Sequence, residues 1–386
     1  MGVVVAAVVL AALEGLARLL SGGAPSPDDV AAYGSNELTW HPTRLWSLMP
    51  GTRKTIFATC SIGEDGLRGS PPEVPRPTDR QRILVLGDSS WFGAGLADDQ
   101  TLAVQLEARL RQRGLDVEVV NGGVPGYSTE QTLLELEEIG WGYDPTLLMI
   151  GALWSDSNYD AFRDADLLRR LSLTRSILGR SSLFRGASRV LAWLGGQGAR
   201  RLVTWPTAQQ APEWTQRRVP VVDYARNLDT MIRDARARGV GAVLLAPGNK
   251  PILQHGLTAQ EAWYPYFRAQ ERVAEHHGVP LLRAWEALGA QAGEGGLQAL
   301  FLDEMHPSAL GQALIADAAT ALLVEAGWPG ARLTGVEQPF DLDLVGTDPF
   351  RGGNVDLGSI QMEFLVLSEG QGGATTARAP RASADR

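Results

Sequence analysis

Ile83-Leu84-Val85-Leu86-Gly87-Asp88-Ser89-Ser90 is the stretch that decides how this chain is read. Four apolar residues running into Gly-Asp-Ser describe a short strand, buried on both faces, that ends in a turn. Ser89 therefore stands where a first strand stops and the backbone changes direction. In an open parallel sheet that carboxyl edge is where ligands bind. A serine there exposes its hydroxyl and can aim its own N–H at an oxyanion. Taken alone the tripeptide is a weak signal, because Gly-Asp-Ser turns are common.

Working outward, the rhythm of that strand repeats. Val117–Val120, Thr146–Ile150, Ala242–Ala246 and Val279–Leu282 are short apolar runs of the same kind. Helix-like segments lie between and after them: Thr101–Arg113, Glu130–Ile139, Asp223–Ala237, Gln260–His277 and Ser308–Glu325. Strand and helix alternate five times, which predicts an α/β domain with a five-stranded parallel sheet covered on both sides. One interval is too long. Between Asp160 and Pro220 lies an insertion with helical runs at Leu167–Leu178 and Leu183–Leu194, and from Asp160 to Val203 it holds nine arginines against three aspartates. A segment of that length is read either as a lid or as a solvated appendage. Its arginines suit a solvated helix face, or a cap that meets anionic glycans or lipid head groups.

The remainder is organised around this domain, which is placed at residues 81–328 with the helical insertion at 160–220. Residues 1–20 are an apolar helix, 21–80 a linker and accessory region, 329–368 an accessory segment, and 369–386 a small, polar tail of disordered composition. Val3 to Leu13 is unbroken apolar sequence, and the run reaches Leu20 with only Glu14 and Arg18 charged. It fits a membrane anchor, a cleaved signal or a buried helix. No basic segment precedes it and no small-residue cleavage site follows, which favours an anchor over a cleaved signal. The charges before Val3 do not set its orientation; an extracytoplasmic catalytic domain is the expectation, with secretion the alternative. Four prolines between Ser70 and Pro77 make that stretch a loop.

Composition narrows the partners. The net charge of -9 argues against nucleic acid, which wants a basic face. A single cysteine, Cys60, excludes an internal disulfide. Adjacent His276 and His277 point to different sides of a helix and make a poor metal pair, so no metal site is expected.

The second informative motif is Asp303-Glu304-Met305-His306-Pro307, placed just before the last helical run. Proline at a first helical position is a start signal, so Asp303 and His306 lie in the turn that leads into that helix. A spacing of three lets the carboxylate fold back onto the imidazole, fix its tautomer and support the imidazolium formed when it takes a serine proton. Of the five histidines, only His306 has an acid at this spacing in a turn.

Together the two motifs resemble the SGNH/GDSL hydrolase family, in which a Gly-Asp-Ser block near the start of the domain pairs with an Asp-x-x-His block near its end. The resemblance covers roughly Ile83 to Gly327. It implies a flavodoxin-like three-layer sandwich, a catalytic triad of Ser89, His306 and Asp303, and no cofactor. It extends to Asn121-Gly122-Gly123-Val124-Pro125-Gly126-Tyr127-Ser128-Thr129, where the family places an oxyanion-hole glycine; by spacing that is Gly126. Leu45–Pro50 and Gly66-Leu67-Arg68-Gly69 have counterparts in the membrane-anchored branch. One block departs. Where the family has Gly-x-Asn-Asp, this chain reads Gly151-Ala152-Leu153-Trp154-Ser155-Asp156, with Ser155 in place of the third oxyanion donor. Loss of one such donor costs about 3 kcal/mol. Either Ser155 substitutes, or Asn158 or the Trp154 indole N–H enters the site, or the reaction is slow; Asp88 and Asp156 are expected to support it.

Three functions fit: a membrane-tethered esterase acting on an ester-bearing small molecule, lipid or glycan, an O-acetylated surface glycan among them; an O-acyltransferase with a sugar acceptor; and a non-catalytic relative that binds glycan or protein. The eleven tryptophans, including Trp91 and Trp154 beside the motifs, suit sugar stacking, an acyl pocket or a core equally. Oligomeric state is not encoded in any of these features.

Overall fold

The computed structural model describes residues 37–41, 43–54, 57–160, 163–174, 216–259, 261–291, 296–346 and 348 of the chain. Five parallel strands form its centre: β1 (Gln81–Gly87), β2 (Val117–Gly123), β3 (Leu147–Gly151), β4 (Gly241–Ala246) and β5 (Leu281–Arg283). They lie in the order β2-β1-β3-β4-β5, the flavodoxin-like order, so the chain reverses direction across the sheet between β1 and β3. The main helices are α1 (Leu102–Gln112), α2 (Thr129–Glu138), α3 (Val221–Ala237), α4 (Tyr264–His277) and α5 (Ala309–Glu325).

The continuous apolar runs are explained by what covers each face. Leu84, Leu86, Leu148, Ile150 and Leu244 pack with Leu136 of α2, Leu228 and Ile232 of α3, and Phe267 and Val273 of α4. The alternate residues Ile83, Val85, Met149, Val243 and Leu245 pack with Leu102, Leu106 and Leu110 of α1 and Ile315, Ala319 and Leu323 of α5. Each of the larger of these side chains contributes about 1.5–3 kcal/mol when fully buried, so neither face of the sheet can be polar without cost. The three layers thus follow from period-two burial on both sides. Helix α4 begins at Tyr264 rather than Gln260, with Pro265 in its first turn, where its missing N–H leaves no helical bond unmade.

Residues 37–69 are more ordered than their irregular composition suggests. Leu38–His41 pairs antiparallel with Leu45–Leu48, and Gly51–Lys54 with Thr59–Ile62. Arg68 bridges Ile62 and then Asn121 on β2, which carries the second hairpin to the edge of the main sheet. Leu38, Trp46, Leu48, Cys60 and Ile62 share one apolar cluster with Phe92, Val124 and Tyr127. The expected loop at Ser70–Pro77 has no regular structure.

The insertion leaves and re-enters through a two-stranded stalk, Tyr159–Asp160 against Gln216–Arg217, with a helix at Asp164–Thr174. The helix expected at Leu183–Leu194, the apolar run at 1–20, the strand-like Ser359–Leu367 and the tail at 369–386 lie outside the described residues. Among the described residues, no helix is long and apolar enough to cross a membrane.

Candidate active site

Ser89 opens a single helical turn, Ser89–Phe92, set directly on the end of β1. Asp88 caps it, its Oδ1 accepting from the Ser90 N–H at 3.0 Å, and Gly93 stops it in the left-handed conformation, φ 81°. The turn can sit so low because the sheet beneath it is glycine. Gly123, Gly87 and Gly151 lie side by side across β2, β1 and β3. A Cβ on Gly123 would come within 2.4 Å of the Phe92 amide nitrogen, and one on Gly151 within 2.3 Å of the Trp91 indole nitrogen. Ser89 itself is part-exposed above this floor.

His306 arrives from the other end of the chain in a tight loop. Asp303 Oδ1 accepts from the N–H groups of Met305 and His306, each at 2.7 Å, and the Leu302 N–H donates to the His306 carbonyl at 2.8 Å. Pro307 does not occupy the first helical position but stands two residues before it, ahead of the cap, and Ser308 is the residue that accepts from the Gly311 N–H to start α5 at Ala309.

The two ends meet. His306 Nε2 lies 2.8 Å from Ser89 Oγ, and His306 Nδ1 lies 2.6 Å from Asp303 Oδ2. Burial raises the Asp303 carboxyl, but the His306 ring, its charge and the two backbone N–H groups outweigh this and pull it down to about 2. An ionised Asp303 can only accept, so Nδ1 carries the hydrogen and Nε2 is left to accept the Ser89 hydroxyl proton. Asp88 is the contrasting carboxylate. Burial pushes it up to about 6, against the capping bond to Ser90 and the influence of His306 and the Leu153 and Trp154 amides. Those two amides act on it from beyond ordinary bonding geometry, since Oδ2 makes no hydrogen bond among the described residues.

Gly126 sits in the loop after β2 with φ 78°, a conformation that favours glycine. Neither its N–H nor that of Ser89 donates to a described residue. Ser155 is buried on the single turn Trp154–Ser157 after β3, and among the described residues its hydroxyl has no hydrogen-bond partner. Asp156 is fully buried and accepts from the Thr129 N–H at 2.9 Å and from its hydroxyl. It thus joins the Ser155 turn to the end of the Gly126 loop.

The structure places three residues whose roles the sequence leaves open. The Trp154 ring packs in the core, edge-on to Trp263 and Phe267 with centroids 5.4 and 5.9 Å apart, and its buried indole N–H has no partner among the described residues. The Asn158 carbonyl accepts from the Arg218 N–H at 2.8 Å, which fixes its backbone beside the insertion's stalk, and among the described residues its side chain makes no hydrogen bond. Trp91 is only 1% exposed and fills the core over the glycine floor, where no sugar can stack on it.

Other residues at the site escape a reading of motifs. Gln312 of α5 donates to the Ser90 carbonyl at 2.9 Å. Arg68 donates to the carbonyls of Phe92 and Gly93, at 2.9 and 2.7 Å, and to that of Leu96, gathering the chain just past the serine turn. Arg218 forms a buried pair with Asp164, at 2.6 and 3.0 Å, and holds the Gly126 carbonyl at 2.9 Å, so the base of the insertion is fastened to the glycine loop. Among the described residues no group of His, Cys, Asp and Glu could hold a metal ion. A surface cleft of about 550 Å³ lined by Arg233, Arg236, Arg332 and Glu337 opens beside the end of α3, at the opposite edge of the sheet, and includes none of these groups.

Residues 85–314, more than half of the chain, match the GDSL-like lipase/acylhydrolase family. The chain belongs to this family. It is a carboxylic ester hydrolase of the GDSL type, and Ser89 is the serine of its Gly-Asp-Ser motif. Similar solved structures include TesA, at 20% identity over 63% of this chain and 98% of that one with a TM-score of 0.39. The lipase/acylhydrolase from Enterococcus faecalis is similar at 16% identity over 63% and 95%, TM-score 0.41. A mutant of Axe2, an acetyl-xylooligosaccharide esterase from Geobacillus Stearmophilus, is similar at 16% identity over 65% and 96%, TM-score 0.42. No curated protein matches the sequence.

Proposed function

We propose that the protein is a serine esterase that cleaves a carboxylic ester through an acyl-enzyme on Ser89, with His306 as base and acid and Asp303 as its partner. The observation that carries this reading is the unbroken relay from Ser89 Oγ through both ring nitrogens of His306 to Asp303. His306 Nε2 takes the hydroxyl proton as Oγ attacks the ester carbonyl carbon, and the carbonyl π electrons move onto oxygen. The N–H groups of Ser89 and Gly126, with the Ser155 hydroxyl, stabilise that oxyanion. Collapse expels the alkoxide, which leaves with the proton from Nε2. Water, deprotonated in turn by His306, attacks the acyl carbon and releases the acid and Ser89.

The apolar run from Val3 to Leu20 supports a tethered enzyme, and we propose that its domain lies outside the cytoplasm. A surface ester, such as an O-acetylated glycan, is then the substrate class to try first.

A fluorophosphonate probe tests the proposal. Wild type is expected to be labelled at Ser89, and Ser89→Ala and His306→Ala to remove both labelling and hydrolysis of p-nitrophenyl acetate. Cys60 is buried, with its thiol pushed up to about 11 by that burial, so it offers no competing nucleophile. A folded wild type that is neither labelled nor active would overturn the reading. Acyl transfer to an added glycan in preference to water would replace hydrolysis by transfer at the same serine.

A further inference from the structure

The Trp46 indole N–H donates to the carbonyl of Pro125 at 2.9 Å. That carbonyl and the N–H of Gly126 belong to one peptide unit, which is trans, so they point in opposite directions. The Gly126 N–H is therefore held on the side of the loop that faces away from the indole. The next peptide is held as well, because the Gly126 carbonyl accepts from Arg218 at 2.9 Å. Both peptides flanking the Gly126 Cα are thus fixed by side chains from elsewhere in the chain.

Trp46 is itself well placed to act as a rigid donor. It is only 4% exposed, its ring lies 5.9 Å from that of Tyr127 at 61°, and the Tyr127 hydroxyl donates to its carbonyl at 2.6 Å. A Cβ at Gly126 would lie 3.2 Å from its Cζ2, so ring and loop are in close contact. The hairpin that carries it is fastened to α2 through Arg44, whose guanidinium donates to Glu135 at 2.9 Å and whose carbonyl accepts from Gln131 at 2.7 Å. The hairpin itself, with Trp46 and Arg44, lies outside residues 85–314, the part that matches the family, while the groups it holds lie inside.

We propose that Trp46 is a positioning residue of the oxyanion hole, so that the N-terminal hairpin completes the catalytic site. The inference rests on the reading of the Gly126 N–H as an oxyanion donor. Accepting the indole hydrogen at the Pro125 carbonyl polarises the shared peptide and makes the Gly126 N–H a stronger donor, besides fixing its direction. A packing role alone needs the ring and not its nitrogen. The two roles therefore separate when the N–H is removed and the aromatic ring kept.

The test is Trp46→Phe in the full chain, with p-nitrophenyl acetate kinetics, fluorophosphonate labelling rate and thermal unfolding measured together. The expected result is a fall in kcat of about tenfold or more with KM unchanged, since only transition-state stabilisation is lost. The labelling rate should fall in parallel, because phosphonylation develops the same oxyanion. Leu38→Ala, which removes packing from the same cluster and leaves the indole in place, should lower the unfolding temperature without lowering kcat. An active, labelled wild type alongside a folded Trp46→Phe that keeps its kcat overturns the inference. A wild type that is never labelled at Ser89 removes the underlying reading instead. Should Trp46→Phe fail to fold, the indole ¹⁵N–H signal of Trp46 in the wild type decides. It should move downfield when Ser89 is phosphonylated, and no movement overturns the inference.

Discussion

The side-chain amide of Gln312 donates to the carbonyl of Ser90, 222 residues away in sequence, at 2.9 Å. Gln312 stands in the first turn of α5, just past His306, and Ser90 follows the proposed nucleophile. The bond therefore joins the two pieces of chain whose side chains must meet. Both groups are buried, so Gln312→Leu leaves the Ser90 carbonyl without a partner, at a cost of about 1–3 kcal/mol. The expected outcome is a lower unfolding temperature together with a lower kcat at unchanged KM. If stability falls and kcat does not, Gln312 braces the fold and leaves the Ser89–His306 distance to other contacts.

Asp156 makes a different prediction, one about pH. Burial pushes its carboxyl up to about 8, against the hydrogen bonds from Thr129 and the charge of Arg218. A carboxyl with an ordinary value of 3.8 when unfolded and a raised value when folded binds its proton more tightly in the folded state. Folding stability is then fullest below the unfolded value and declines as pH rises towards the folded one. Asp156→Asn keeps an acceptor for Thr129 and removes the titration. Denaturant melts from about pH 4 to about pH 9 should show wild type losing stability relative to Asp156→Asn as pH rises, with the difference levelling above the folded value. A constant difference across that range would mean that Asp156 is ionised in the fold throughout.

The parts of this site that sequence discloses are those carried by local pattern. Strand, turn and spacing place Ser89 and Gly126 after β1 and β2, and Asp303 with His306 in one turn, because each depends on residues close in the chain. The glycine floor, Trp46, Arg68, Arg218 and Gln312 act through side-chain contacts with distant backbone, and no periodicity encodes which carbonyl a buried donor will find. The place of Trp91 and Trp154 is left open by sequence for a related reason. They adjoin site residues in sequence, but on a single helical turn a neighbour one position away points elsewhere, here into the core on opposite faces of the sheet. The hairpins at 38–62 are hidden because four-residue strands with few β-branched residues leave too short a pattern to read.

Ser155 decides how far the departure from Gly-x-Asn-Asp matters. If its hydroxyl serves as the third donor, Ser155→Ala should lower kcat by about tenfold to a hundredfold without raising KM, less than loss of a carboxamide that reaches further. Ser155→Asn, which restores the family's residue, should raise kcat above wild type provided the longer side chain fits this buried turn, which thermal unfolding would report. Unchanged kcat in Ser155→Ala would leave the oxyanion to the Ser89 and Gly126 amides alone.

Asp303→Asn separates the two duties of that carboxylate. Oδ1 accepts from the Met305 and His306 N–H groups and builds the turn, while Oδ2 faces His306 Nδ1. The asparagine oxygen can still accept both backbone hydrogens, which leaves its NH₂ against Nδ1. An NH₂ there donates, so the ring must carry its hydrogen on Nε2 and can no longer accept the Ser89 proton. The expected loss in kcat is on the order of a thousandfold or more, in a protein that melts close to wild type at neutral pH. Asp303→Ala, which loses the turn as well, should melt lower. In wild type the folded carboxyl is held down to about 2, below its ordinary 3.8, so its stabilising contribution is complete above the unfolded value and disappears as pH falls towards the folded one. Because the group is partly exposed, that contribution is modest, but it gives the wild type a pH-dependent stability in acid that Asp303→Asn should lack. Equal acid profiles, or an active Asp303→Asn, would remove the carboxylate from the relay and leave His306 to be oriented by the loop alone.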